Sequence, residues 1–167
     1  MAFERKTFKK YNKGWSRKSS TPLSSHPSSK RGKLSPLMTE EAKQEANIQD
    51  LSYDFSCRII RLFQYFTEDA AYKENIMSKQ VYRSGTSVGA NIRESQHAQS
   101  DSDFLSKMSI ALKEADETDY WLNLLHDNGY LNDDQHSSLN NDIQRILRLL
   151  NAIVKSTKLK IEAAKGK

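Results

Sequence analysis

One cysteine, three prolines and six glycines in 167 residues are too few to build a disulfide framework or a loop-rich scaffold. Cys57 has no second thiol, so an internal disulfide is excluded, and its place near an apolar stripe makes it a small packing residue rather than a nucleophile. No apolar run approaches the roughly 20 residues of a membrane span. The N-terminus also lacks the apolar stretch of a secretory signal, so a cytoplasmic protein with no membrane partner is expected. The signatures of chemistry are missing too. Neither HExxH, nor the paired Glu-x-x-His of di-iron bundles, nor GxxxxGK[ST], nor G-x-S-x-G occurs, and neither an enzyme nor a metal or other cofactor is expected.

Apolar residues make up only 37% of the chain and mean hydropathy is −0.77, so the apolar side chains must be gathered on faces. Charge is unevenly divided. The net +5 combines residues 1–33, with ten Lys/Arg and one acid, and a remainder with 16 basic and 20 acidic residues. All three prolines and a Ser-rich run from Ser16 to Ser29 fall within residues 1–37, which show no sustained periodicity. Such a segment buries too little apolar surface to offset its ordering entropy, so a disordered basic tail over 1–37 is expected before a folded domain over 38–167. Phe3, Phe8, Tyr11 and Trp15 interleave with its cations, as in a nucleic-acid-binding arm. An upstream start before Met38 is the competing explanation of the tail.

From Thr39 onward the pattern is helical throughout. Ile48, Leu51, Phe55, Ile59, Leu62, Phe63 and Phe66 recur at threes and fours, the spacing of one buried helix face. Thr39 is placed to cap that helix, and Thr67 to Ala71 form the first connection. A second helix is expected from about Tyr72 to Ala98. Ser100 with Asp103 reads as a capping box for a third, which ends at Gly129. Asn132 with Gln135 opens a fourth, whose stripe includes Leu139, Ile143, Ile146, Leu150 and Ile153. With short connections these make an all-α, antiparallel up-down-up-down four-helix bundle.

The second helix is unusual in its small residues. Ser84, Val88, Asn91 and Ser95 recur at steps of four, three and four, and Gly85 and Gly89 are one turn apart. Glycine costs a helix interior roughly 1 kcal/mol relative to alanine, so two of them imply that another backbone comes close. A basic residue and small residues leading to Asn-Ile-x-Glu (Arg83, Ser84, Ser87, Asn91, Ile92, Glu94) precede a polar break at Ser100 to Asp103. A long helix carrying Phe104, Ala111, Glu114, Glu117 and Trp121 follows. In these features the chain resembles the four-helix-bundle family of proteins encoded in intervening sequences of bacterial large-subunit rRNA genes, which includes the accessory variability determinant (Avd) of diversity-generating retroelements. The similarity covers about Asp50 to Val154. Ser95 departs from the glycine that follows this glutamate in many relatives. The resemblance implies a homopentamer, nucleic-acid binding and association with a reverse transcriptase.

Cations on the predicted helices give the binding residues: Arg58, Arg61, Lys79, Arg83 and Arg93 on the first two, and Arg145, Arg148, Lys155 and Lys158 on the fourth. Each phosphate they neutralise releases counterions, so binding would be sequence-tolerant and salt-sensitive. RNA or an RNA-DNA hybrid is the expected partner, together with further copies of the chain. The third helix is acidic, with Asp101, Asp103, Glu114, Asp116, Glu117 and Asp119 against Lys107 and Lys113, and can meet a basic face of a neighbouring copy. Packing and interface roles fall to Ser84, Gly85, Ser87, Gly89, Asn91 and Glu94, with Asn91 bonding across helices, and to the aromatic pair Tyr120 and Trp121. An adaptor ring that grips a protein through the acidic helix, with no nucleic-acid role, is the competing function. Arg93 and His97 share a helix face, but only three residues intervene, whereas helical ribonucleases of the HEPN type place four to six between Arg and His.

Overall fold

The computed structural model describes residues 40–68 and 74–166, with side chains from residue 48 onward. The chain divides into residues 1–40 and 41–167. The aromatic and cationic residues of the expected tail, the cap at Thr39 and residues 69–73 of the first connection lie outside the described residues. The described residues form four helices and no strand: α1 (Glu40–Glu68), α2 (Met77–Ser95), α3 (Asp101–Asp127) and α4 (Asp133–Lys165).

Both ends of α2 and α3 and the start of α4 have a chemical cause. The α2 helix begins five residues later than its sequence pattern suggests, because Glu74 stands in for a cap. Its Oε1 accepts from the amides of Ile76 and Met77 at 2.9 Å, and its Oε2 from Ser78 at 2.8 Å. Those are amides that the first turn of a helix leaves without a partner. At the other end α2 stops at Ser95, because the amides of Gln96, His97 and Ala98 turn back to the carbonyls three residues earlier. Ser100 then caps α3 by accepting from the Asp103 amide at 3.1 Å, while Asp103 accepts from Gln99 at 3.1 Å.

Gly129, at φ 77°, closes α3. The Tyr130 amide reaches the Leu125 carbonyl and the Gly129 amide that of His126, both at 2.9 Å. This paired closure needs a left-handed residue, which glycine adopts without a Cβ clash. The capping box of α4 forms in both directions: Asn132 accepts from the Gln135 amide at 2.9 Å and Gln135 from the Asn132 amide at 2.8 Å.

Contacts between the helices fix their order and sense. A tilted ring contact joins Phe63 of α1 to Tyr82 of α2 at 4.9 Å. Further toward the start of α1, Ile59 meets Gly85 and Ser56 meets Gly89. Falling numbers on α1 thus oppose rising numbers on α2, and the pair is antiparallel. The same reversal links α2 to α3 through Glu94–Lys107 and Ser84–Thr118. It links α3 to α4 through Asn123–His136, Asp119–Gln144 and Asp101–Lys160. Arg58 of α1 closes the circuit on Ser138 and Asp142 of α4. The result is the expected up-down-up-down bundle.

Its axis is filled by Phe55, Ile59, Phe66, Ile92, Met108, Leu122 and Ile143, all buried. Each large apolar side chain withdrawn from water contributes roughly 1.5–3 kcal/mol, so this seam carries the fold. Both glycines of α2 face α1 at short range. A Cβ added at Gly85 would stand 2.8 Å from Ile59 Cγ1, and one at Gly89 would stand 2.8 Å from Ser56 Oγ and 3.3 Å from the Ser52 carbonyl oxygen.

Candidate nucleic-acid interface

Burial of one side of α2 dictates what its other side presents. Ser78, Val81, Ser84, Gly85, Val88, Ile92 and Ser95 face the bundle. At 100° per residue, Lys79, Arg83 and Arg93 then lie within one outward arc. All three are exposed and none forms an ion pair among the described residues. The single acid of α2, Glu94, is drawn aside to Lys107 Nζ of α3 at 2.6 Å. Being exposed, that pair contributes little to stability, but it leaves the outward ridge of α2 wholly cationic. Hydrogen bonding to Glu94, followed by its charge, raises the Lys107 pKa.

The C-terminal half of α4 is a second such ridge. Its buried set of Ile146, Leu150, Ile153, Val154 and Thr157 turns Arg148, Lys155 and Lys158 outward. These three are likewise exposed and outside any ion pair among the described residues. Arg145 differs, being half-buried and engaged by a neighbour. Lys160 reaches Asp101 Oδ1 at 3.0 Å.

The α1 cations sit apart from both ridges. Arg58 is 12% exposed, donates to the Ser138 carbonyl at 3.1 Å and to Ser138 Oγ at 2.7 Å, and pairs with Asp142. Its charge is spent on holding α1 to α4. Arg61, one turn on, is half-buried, and its Nε meets no hydrogen-bond acceptor among the described residues.

The polar residues of α2 divide between the seams. Ser84 accepts a hydrogen bond from Thr118 of α3 at 2.9 Å, both side chains being buried. Asn91 does not reach across helices as its place in the sequence suggests. Its amide donates to the Ser87 carbonyl of its own helix at 2.9 Å, because the side chain is only half-buried and lies beside the preceding turn. His97 is likewise off the helix, in the turn after Ser95, so Arg93 and His97 are not two residues of one regular helical face.

The acidic face of α3 lies between the two cationic ridges. Burial, followed by the neighbouring charge of Glu117, raises the pKa of Glu114, and Arg83 opposes the shift. Tyr120 is exposed and its ring meets Trp121 edge-on at 5.2 Å, while the Trp121 indole donates to Glu117 at 3.1 Å. Where α3 turns into α4, the rings of His126 and His136 stack at 4.2 Å and 15°. Sequence spacing gives no sign of this pair, since nine residues, a turn among them, separate them. Among the described residues no group of His, Cys, Asp and Glu is arranged to hold a metal ion, and no helix is long and apolar enough to cross a membrane.

The profile of the 23S rRNA-intervening sequence protein family matches residues 44–152. The chain belongs to this family. The matched span takes in nearly all of α1 to α3 and about the first three fifths of α4, so both cationic ridges begin within it. A solved structure from the S23 ribosomal protein family of Bacteroides thetaiotaomicron, described as a protein with unknown function, is 47% identical. The similarity covers 67% of this chain and 98% of that one, with a TM-score of 0.64. Comparison with curated proteins gives no match. Membership ties this 23S rRNA-intervening sequence family protein to a group of small helical proteins linked by name to rRNA.

Proposed function

We propose that this bundle is a non-catalytic, self-associating accessory protein that binds RNA, or an RNA-DNA hybrid, through the phosphate backbone. The observation that carries the reading is the set of six exposed cations, Lys79, Arg83, Arg93, Arg148, Lys155 and Lys158, outside any ion pair among the described residues. Cations already paired with carboxylates gain little from a phosphate, whereas these six have no ion pair among the described residues to break and exchange chiefly water and counterions for it. Arg58, clamped on Asp142, belongs to the scaffold in this reading. The acidic outer face of α3, with Tyr120 exposed on it, serves association between copies, because phosphate is repelled there and a basic ridge of a neighbour is attracted. The resemblance to Avd-like proteins extends the proposal to a homopentamer that assists a reverse transcriptase.

Replacing Arg148, Lys155 and Lys158 together by glutamine should flatten the dependence of binding on salt. The expected change in slope is about 0.7–0.9 of a logarithmic unit for each phosphate no longer neutralised, with helicity unchanged. The equivalent triple change at Lys79, Arg83 and Arg93 should act in the same way. Titration of mixed RNA and DNA at several salt concentrations measures both. An unaltered slope in both variants removes the ridges from the site. Absence of saturable, salt-sensitive binding by the unmodified protein favours the adaptor function instead.

A further inference from the structure

The cationic ridge of α2 does not lie on a featureless surface. At its start a cleft of about 340 Å³ is lined by Asn75, Ile76, Lys79, Gln80, Tyr82 and Arg83. Two of these are large apolar groups left facing water, Ile76 at 79% exposure and Tyr82 at 38%. Single exposed apolar residues are ordinary, but here two line the same cleft as two cations that form no ion pair among the described residues. The Tyr82 ring is also held by a neighbouring ring. Phe63 of α1 packs on it with centroids 4.9 Å apart and planes tilted by 44°. A ring held in this way loses little freedom when something planar is laid against it.

The backbone amides of Ile76, Met77 and Ser78 at this helix start are not available to a ligand, because Glu74 already accepts from them. Any anion must therefore be met by the Lys79 and Arg83 side chains, which stand one turn apart, about 6 Å along the axis. Flat apolar surface flanked by two cations, with the amides of Asn75 and Gln80 at hand, matches the parts of a nucleotide. The base covers the ring, the phosphates meet the cations, and the amides meet polar base edges. A duplex keeps its bases stacked on each other and offers this cleft only phosphate.

Building on the RNA-binding function proposed above, we infer that the Tyr82 cleft is a base-stacking site that makes the protein prefer single-stranded RNA over duplex. Lys79 and Arg83 hold the flanking phosphates, and Ile76 closes the cleft opposite the ring.

Fluorescence anisotropy on the full chain, with a labelled single-stranded RNA and the duplex of the same sequence, tests this. Tyr82→Leu should weaken single-strand binding about five- to a hundredfold, leave duplex affinity and the salt slope alone, and be rescued by Tyr82→Phe. Because Tyr82 also packs on Phe63, a second measurement leaves the folded protein unaltered: RNA carrying 4-thiouridine, irradiated in complex, should crosslink to Tyr82 or to another residue of the cleft. Equal loss of single-strand and duplex binding in Tyr82→Leu, or crosslinks confined to other surfaces, would overturn the stacking site. The broader proposal would survive either result as long as glutamine at the ridge cations still changes the salt slope. Failure of the unmodified protein to bind RNA at low salt would overturn both.

Discussion

Gly85 has no room for a methyl group. The nearest atom to a Cβ there would be Ile59 Cγ1 at 2.8 Å, on a β-branched side chain that is itself fully buried. Alanine at this position gains roughly 1 kcal/mol of helix propensity, but overpacking a tight core costs about 1–3 kcal/mol. Gly85→Ala should therefore lower stability by about 1 kcal/mol in urea unfolding. Gly89→Ala should cost less than Gly85→Ala, because Ser56 Oγ can rotate away and only the Ser52 carbonyl oxygen, 3.3 Å from the added Cβ, must yield by a few tenths of an ångström. A stabilised Gly85→Ala would show that the α1–α2 seam is looser than its geometry implies. That some backbone approaches α2 was legible from two glycines one turn apart. Which helix approaches was not, since α1 and α3 both offer apolar stripes. Asn91 shows the opposite limit, because whether an amide bonds across helices or back onto its own turn depends on how deeply it sits.

The α3–α4 hairpin carries a titration that no single residue explains. His126 sits between two carboxylates: Asp133 lies 2.9 Å from Nε2 and Asp127 lies 3.4 Å from Nδ1. The hydrogen bond to Asp133 raises its pKa above the ordinary 6.5. His136, stacked on it and bonded to Asn123 at 2.8 Å, is shifted the other way, first by burial and then by the charge of His126, against the pull of Asp119, Asp127 and Asp133. The signs are opposed. Stability from His126 is full below pH 6.5 and is lost as pH rises through its raised folded value. Stability from His136 is full above pH 6.5 and is lost as pH falls through its lowered folded value. Melting temperature should thus peak near pH 6.5, with His126→Asn removing the alkaline decline and His136→Asn the acid one. An NMR titration placing the His126 pKa below that of His136 would contradict this. Both caps of the hairpin were legible, through Gly129 and the Asn132–Gln135 spacing. The stacked rings were not, because only the turn brings positions 126 and 136 together.

Across the whole molecule, charge is sorted by helix. Beyond residue 33 acids outnumber bases by 20 to 16, yet α2 and the end of α4 present cations outward while α3 presents acids. Such a surface admits a polyanion along its cationic ridges, repels it from the acidic face, and suits a copy of itself turned to oppose unlike faces. Light scattering should report a mass that is a multiple of 19.2 kDa, falling toward the single chain when Asp116 and Glu117 are both replaced by lysine. A lone subunit at working concentration would remove self-association from the proposed function. If instead the reversed-charge variant kept its full mass, the contact would have to lie on another face.

The sequence by itself determined that this chain is all-α and where most of its helices stop, because periodicity, glycine and capping residues act within a few positions of one another. It also determined which cations the chain carries on those helices. Only the tertiary structure decided which of them remain available: Arg58 is consumed by Asp142 across the α1–α4 seam, Arg145 is half-buried, and Lys79, Arg83 and Arg148 stay in water. Pairing and burial depend on partners distant along the chain, and those distances close only when the helices pack.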